Sequence, residues 1–308
     1  MKRILVIKLG ALGDFVLAFA PFAAIRAHHP HDHITLLTTA PFVGLATASP
    51  WFDAVAIDAR PSWWDLPALA RLRGILRGQG FIYDLQTSGR SSRYFHLTVG
   101  TGGPARPGWS GIAVGASHPD SDPARDRLHT RTRQTGQLAR AGIAVVPDPD
   151  LAWLARAESP LPGSDRIALL VPGAAMHRPG KRWPVARFAA LAAVLAEGGL
   201  QPVVVGGAPD ADAAAAIAAH CPGAIDLTGR TSLLQLGALA ARAEVAIGND
   251  TGPMHLAAAM GCRSIVLFGP ESDPALTAPI GRTPGQVSVV RVPDLAGLPV
   301  DRVAALLA

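Results

Sequence analysis

The sequence predicts an α/β protein built from two halves, each organised around a parallel sheet. Three observations predict it. Short apolar runs alternate with longer amphipathic or alanine-rich segments along the chain. The alternation restarts near Arg166, after the stretch Ser159-Pro160-Leu161-Pro162-Gly163-Ser164. Several apolar runs open onto polar, glycine-bearing turns and then onto a helix, the place where an α/β protein offers a crevice to a ligand. A chain of 308 residues suffices for two domains with a core each, and the boundary is expected at 158/159, giving domains 1–158 and 159–308.

The elements follow in order. In the first half, compact apolar runs at Ile4–Ile7, Ile34–Leu37, Ala54–Ile57 and Phe81–Asp84 read as buried strands, and Phe15–His28 and Leu66–Gly78 read as helices. The Gly/Pro-rich stretch Gly100–Gly115 and the Asp/Pro-rich stretch after His118 read as loops. In the second half, strands are expected at Ile167–Val171, Pro202–Val205, Val245–Ile247 and Ser264–Phe268. Helices are expected at Val185–Glu197 (after Trp183-Pro184), Ala211–His220, Leu233–Ala241 and Met254–Met260. Alanine, the strongest helix former, accounts for Ala211–Ala219, and Pro253 suits a first helical turn.

Composition narrows the function. Hydrophobic residues make up 49% and charged residues 17%, which excludes a disordered chain. The net charge of +5 suits an anionic partner. The arginines are scattered and aromatics are only 6%, so a dedicated nucleic-acid surface is not expected. Cys221 and Cys262 are far apart and join no spaced histidines, which argues against a zinc site or a disulfide scaffold and for a reducing compartment. In His28-His29-Pro30-His31-Asp32-His33, Pro30 breaks any ligating periodicity, and the run reads as a surface loop. Lys2-Arg3 before the apolar Phe15–Ile25 imitates a signal peptide, but Ile4–Ile7 is already a strand, Asp14 interrupts and no cleavage site follows. No run of about 20 apolar residues predicts a membrane span, so a cytoplasmic protein is expected.

Five stretches carry candidate chemistry. Lys8-Leu9-Gly10-Ala11-Leu12-Gly13-Asp14 follows the first strand; it lacks dinucleotide-fingerprint spacing, and Asp14 is open to two readings, helix cap or general base. Pro172-Gly173-Ala174-Ala175-Met176-His177 runs on to Lys181-Arg182-Trp183-Pro184, where Lys181 offers a point charge to a diphosphate or is merely solvated. Gly206-Gly207-Ala208-Pro209-Asp210 presents Asp210 to a ribose hydroxyl or as a cap. Leu227-Thr228-Gly229 offers small polar groups to the edge of a base. Asn249-Asp250-Thr251-Gly252-Pro253-Met254-His255 is a strand–turn–helix anion site in which Asp250 and Thr251 are also open to a capping role.

In this order, with Pro21 and Tyr83-Asp84-Leu85-Gln86, these stretches resemble glycosyltransferase family 9, the heptosyltransferases of lipopolysaccharide core synthesis. The resemblance covers nearly the whole chain. It implies a GT-B fold, two Rossmann-like domains with parallel sheets facing a central cleft, the first binding the acceptor and the second the nucleotide-sugar donor. It implies an inverting, metal-independent transfer of a sugar, typically heptose from ADP-heptose, to an anionic glycolipid or oligosaccharide, with no resident cofactor. By the same resemblance Asp14 is the general base and Lys181 lies near the donor phosphates. Asp250 contacts donor sugar hydroxyls, Thr251 and Gly252 give backbone donors to the diphosphate, and His255 sits beside it. Gly173, Gly207, Asp210 and Thr228 complete the expected donor site, and Gly13 lies on the acceptor side.

There are departures. Ala174-Ala175 stands where some heptosyltransferases carry hydroxyls, and Pro209 where some carry an acidic residue. On the acceptor side, Gln86-Thr87-Ser88-Gly89-Arg90-Ser91-Ser92-Arg93 is open to two readings, a solvated helix start or a site where Arg90 and Arg93 partner acidic groups, with His129 beside Arg131 as a weaker candidate of the same kind. A peripheral contact with the inner membrane surface is expected from a glycolipid acceptor. The competing functions are a nucleotide-sugar epimerase or hydrolase of GT-B type, and a non-catalytic nucleotide-sugar-binding protein.

Overall fold

The computed structural model describes residues 1–98, 106–161, 163 and 166–307. It divides into two compact units, Met1–Asp150 and Leu151–Ala308. The division falls after Asp150, ahead of 158/159. Leu154 explains this: it is fully buried, and its side chain fills the space left by the missing Cβ of Gly237 in the second unit. Of the proline-rich stretch that marked the boundary, Pro162 and Ser164 lie outside the described residues.

The first unit contains six strands: β1 (Arg3–Ile7), β2 (His33–Thr38), β3 (Ala54–Ile57), β4 (Phe81–Asp84), β5 (Gly108–Gly111) and β6 (His118–Pro119). They form one parallel sheet in the order β3-β2-β1-β4-β5-β6. Its helices are α1 (Leu12–Leu17), α2 (Phe19–His28), α3 (Val43–Ala48), α4 (Leu66–Leu76), α5 (Gly89–Leu97) and α6 (Thr130–Arg140).

The second unit repeats the plan with β7 (Ile167–Val171), β8 (Gln201–Val204), β9 (Ile225–Asp226), β10 (Val245–Asn249), β11 (Arg263–Phe268) and β12 (Val287–Arg291). These are ordered β12-β11-β10-β7-β8-β9, again parallel. Its helices are α7 (Ala152–Ala155), α8 (Val185–Glu197), α9 (Ala211–His220), α10 (Leu233–Arg242), α11 (Gly252–Ala259), α12 (Pro274–Thr277) and α13 (Val300–Ala304). Both sheets therefore have the doubly wound order of a Rossmann fold. Each has a switch point, at β1/β4 and at β7/β10, where neighbouring strands continue to opposite sides and leave a crevice beyond their C-terminal ends.

Two expectations need correction. The helix expected over Phe15–His28 is two helices that meet at Ala18. Pro21 has no N–H to give the carbonyl four residues back, and the Arg131 Nε donates to that Leu17 carbonyl at 3.1 Å instead. The Gly/Pro-rich stretch expected as a loop contains β5, whose Trp109 is fully buried, while residues 100–105 of it lie outside the described residues. The stretch after His118 likewise gives way to α6, a polar helix held down by Gln137, whose Nε2 donates to the Asp84 and Ser110 carbonyls.

Separate cores hold the two sheets. In the first, Phe15 stacks on Phe42 at 4.8 Å and packs edge-on to Phe19 and Phe22. In the second, Trp183 packs edge-on to Phe188 within a cluster that includes Leu191, Leu195, Ile247 and Leu267.

Candidate functional site

In the first unit, β1 ends at Ile7 and the chain turns through Lys8-Leu9-Gly10 into α1. The turn is bolted to its neighbours. Leu9 N–H donates to Gln86 Oε1 at 2.8 Å, and the Leu9 carbonyl accepts from Thr39 Oγ1 and Arg60 Nη2. Gly10 has φ +122°, and a Cβ there would run into the Phe42 ring. The helix α1 that follows has Ala11 as its N-cap residue, so Asp14 is not the cap; it sits two residues beyond the helix start with Gly13 beside it. Its half-buried carboxylate makes no hydrogen bond or ion pair among the described residues. Asp14 lines a cavity of about 800 Å³ that runs past Pro41, Phe42, Asp58 and Arg60. It also lines a smaller polar pocket of about 110 Å³ with Lys8, Thr87, Arg125, Arg133 and Gln134.

Sequence reasoning placed other residues on this side. Arg90 and Arg93 lie with their guanidinium groups over Trp63, 5.7 and 5.4 Å from the ring centre, and Arg90 Nη1 donates to the Pro61 carbonyl. His129 is the N-cap residue of α6, its Nδ1 accepting from Arg131 N–H at 3.2 Å. None of the three lines either cavity beside Asp14. Of the residues that do, Lys8 opens the first candidate stretch, while Arg125, Arg133 and Gln134 gave no local signal, because α6 and the turn before it are brought to the end of β4 only by the tertiary fold.

In the second unit the ends of β7 and β10 lie side by side, Val171 pairing with Gly248. Asn249, fully buried, ties the loops together: its Nδ2 donates to the Pro172 carbonyl at 2.7 Å and its Oδ1 accepts from Trp183 N–H at 2.9 Å. Trp183 is anchored in turn by its indole N–H on the Leu298 carbonyl. These bonds set the short turn Pro179–Lys181 over the end of β10, where Lys181 Nζ meets Asp250 Oδ2 at 2.6 Å.

Asp250 is therefore an ion-pair partner. The N-cap residue of α11 is Thr251, which makes no side-chain capping bond, so the first turn of α11 at Gly252 is left uncapped. His255 Nε2 stands 3.8 Å from Asp250 Oδ1. Burial pushes the Asp250 carboxyl up, yet His255 and Lys181 together outweigh it and hold the group below its ordinary value.

The remaining donor-side candidates ring the same strand ends. Gly173 and Gly206 leave the room that the Asp210 carboxylate occupies, and Asp210 accepts from Gly207 N–H at 3.0 Å. Gly229, at φ +69°, donates its N–H to the Gly206 carbonyl and brings Thr228 alongside. Thr228 Oγ1 and His255 Nδ1 are buried polar atoms without a hydrogen-bond partner among the described residues.

Two Rossmann-like units, with a carboxylate at the switch point of one and a cation beside an uncapped helix start at the switch point of the other, are the parts of a GT-B protein. Solved structures share that architecture. Escherichia coli heptosyltransferase WaaC with ADP superposes with a TM-score of 0.80 at 21% identity, covering 99% of this chain and 98% of that one. E. coli ADP-heptose LPS heptosyltransferase II gives 0.76 at 24%, covering 99% and 97%. The family model of glycosyltransferase family 9 (heptosyltransferase) matches residues 126–296, and the chain belongs to that family. Among curated relatives, lipopolysaccharide heptosyltransferase 2 of E. coli K12 is 38% identical over 107 residues, 33% of this chain and 30% of the relative. Lipooligosaccharide heptosyltransferase 2 of Haemophilus influenzae is 34% identical over 128 residues, 40% and 36%. The chain thus matches about a third of the length of those relatives.

Proposed function

We propose that the protein transfers a heptose from ADP-heptose to a hydroxyl of an anionic glycolipid or oligosaccharide of the lipopolysaccharide core, with inversion and without a metal. The observation that carries the reading is Asp14, a half-buried carboxylate without a partner among the described residues on the wall of a cavity large enough for a sugar. In the first unit Asp14 takes the proton from the acceptor hydroxyl as that oxygen attacks the anomeric carbon. The bond from that carbon to the diphosphate oxygen breaks, and ADP leaves with the electron pair on the opposite face. In the second unit Lys181 and the first turn of α11, at Thr251 and Gly252, meet the charge that grows on the diphosphate. Asp250, kept ionised by its neighbours, accepts from donor sugar hydroxyls, with His255, Gly173, Gly207, Asp210 and Thr228 around the nucleotide.

The relatives support the choice of donor, since WaaC has been crystallised with ADP and with ADP-2-deoxy-2-fluoro heptose. No described helix is long and apolar enough to cross a membrane. We place the enzyme on the cytoplasmic side, touching the inner membrane surface through the exposed Trp64 and Leu66.

Asp14→Asn tests the assignment. ADP affinity by calorimetry is expected to be unchanged while transfer falls by about 10²–10⁴-fold, with wild-type activity insensitive to EDTA. Near-normal turnover of the variant removes Asp14 from the mechanism, and donor consumption without any acceptor points to an epimerase or hydrolase instead.

A further inference from the structure

The loop that follows β11, Gly269-Pro270-Glu271-Ser272-Asp273, has no part in the transfer as described. The strands bring it to the donor side. β11 pairs with β10 as far as Asn249 against Leu267, and Asp250 N–H donates to the Leu267 carbonyl at 3.0 Å. The chain therefore leaves β11 next to the carboxylate that Lys181 meets. It then runs against the turn that carries Lys181: a Cβ on Gly180 would lie 3.1 Å from Glu271 Cδ and 3.2 Å from its Cγ. The far end of the loop is fixed. Asp273 is the N-cap residue of α12, accepting from Ala275 N–H, and Arg291 stands 3.4 Å from it.

Two groups of this loop are unused within the protein. The exposed Glu271 carboxylate makes no hydrogen bond or ion pair among the described residues. Ser272 Oγ is buried and likewise has no hydrogen-bond partner among the described residues. Leaving a buried hydroxyl unpaired is costly, and such a group is normally satisfied by a ligand or water.

Charge decides what these groups can meet. Lys181 and the start of α11 are the cationic side of the donor site, and Glu271 brings a negative charge to the other flank of the Pro179–Lys181 turn. Asp250 is neutralised by Lys181; Glu271 has no such cation. A carboxylate turned to a diphosphate is repelled. One turned to hydroxyl groups accepts charge-assisted hydrogen bonds, about twice as strong as neutral ones. With one Asp250 oxygen taken by Lys181, both oxygens of Glu271 are open to a pair of neighbouring hydroxyls.

We infer that Glu271 and Ser272 are specificity-determining residues for the transferred sugar, hydrogen-bonding hydroxyls on the part of it turned away from the diphosphate. The ligand they fit is an uncharged, polyhydroxylated sugar on a nucleoside diphosphate. A sugar acid in the same seat would set its carboxylate against Glu271. The inference rests on the donor role given to the second unit, and it adds to Asp250 a second acceptor for sugar hydroxyls.

The test needs no acceptor. ADP, ADP-glucose and ADP-heptose are titrated calorimetrically into the full-length wild type, Glu271→Gln and Ser272→Ala. The measure is the affinity for each sugar nucleotide divided by that for ADP. For ADP-heptose this ratio is expected to fall about tenfold in Glu271→Gln and about threefold or more in Ser272→Ala. ADP itself should bind Ser272→Ala as it binds wild type, and Glu271→Gln equally or more tightly, since a negative charge is gone. Without ligand, Ser272→Ala should melt at the same or a higher temperature, because it removes an unpaired buried hydroxyl. A fall confined to ADP-glucose also supports the inference and identifies the sugar as a hexose. The inference is overturned if the ratios keep their wild-type values in either variant. It is also overturned if Glu271→Gln weakens ADP as much as the sugar nucleotides, which makes the loop a prop for the Lys181 turn. Failure of the donor assignment looks different: a wild type that binds none of the three nucleotides overturns that assignment and the inference with it.

Discussion

Asp250 and Asp84 are both buried carboxylates, and their neighbours push them in opposite directions. Asp250 has Lys181 at 2.6 Å and is held below its ordinary value, so the stability it contributes is present at neutral pH and lost only as pH falls through the lowered value. Breaking the pair by Lys181→Ala leaves the carboxylate uncompensated and is expected to cost about 2–3 kcal/mol in urea unfolding. The apolar double replacement Lys181→Met with Asp250→Leu should restore much of that while leaving ADP affinity lost. Recovery of ADP binding in the double variant would show that the pair serves only the fold. Asp84 is fully buried and pushed up to about 6 by burial, against the bonds it accepts and the charge of Lys8. Between the ordinary carboxylate range and that value the folded chain holds a proton that the unfolded chain has lost. Stability from this group therefore declines as pH rises through the window, by roughly 2–3 kcal/mol in all. Asp84→Asn keeps an oxygen for the Gln86 and Thr87 N–H groups and removes the charge. The stability of the variant relative to wild type should rise by about 1.4 kcal/mol between pH 5 and pH 7.5, less whatever Lys8 loses with its counter-charge. A difference that stays flat across that range means that Asp84 does not titrate there.

At the level of elements, the turn that carries Lys181 depends on a close approach of two backbones. The Gly180 carbonyl lies against Gly269 at the end of β11, where a Cβ would overlap it, and Glu271 packs on the other side of Gly180. Gly269→Ala must push the Pro179–Lys181 turn away from Asp250. It is expected to raise the KM for donor about tenfold and to cost about 1–3 kcal/mol of stability; unchanged donor kinetics would mean that the turn adapts. The strands that carry this site were legible because β7 and β10 are central and almost wholly apolar, and each ends in a polar turn that no core would accept. The elements that escaped notice are those with no such contrast. β6 and β9 are two residues long, β5 is Gly-Trp-Ser-Gly, and β12 alternates at a sheet edge. The polar α6 buries Gln134 and Gln137 in place of an apolar stripe. For the same reason Asp250 and His255, which follow the end of β10, and Lys181, in the turn ahead of Trp183-Pro184, were readable as motifs, while Arg133 and Gln134 were not. Their place beside Asp14 is set by Gln137 reaching the Asp84 and Ser110 carbonyls, a contact no local spacing encodes.

At the scale of the molecule, each unit has its own doubly wound sheet and its own core, and each candidate site is built from one unit alone. A ligand that binds only the folded second unit should therefore stabilise that unit by RT ln(1 + [L]/Kd), about 2.7 kcal/mol at a hundredfold excess over Kd, and leave the local stability of the first unit to its own contacts. Amide hydrogen exchange resolves the two. With ADP, protection is expected to rise across 172–183, 206–230 and 249–256, the segments tied together by Asn249, Trp183 and the Gly229–Gly206 bond. The segments 8–14, 84–87 and 125–134 should exchange as in the free protein. Asp14→Asn is expected to leave the ADP-induced pattern unaltered even though transfer is lost. Protection that spreads from the ADP segments into 8–14 would instead mean that donor binding reorganises the turn carrying the base, and that the first unit's site is completed only after the nucleotide has bound.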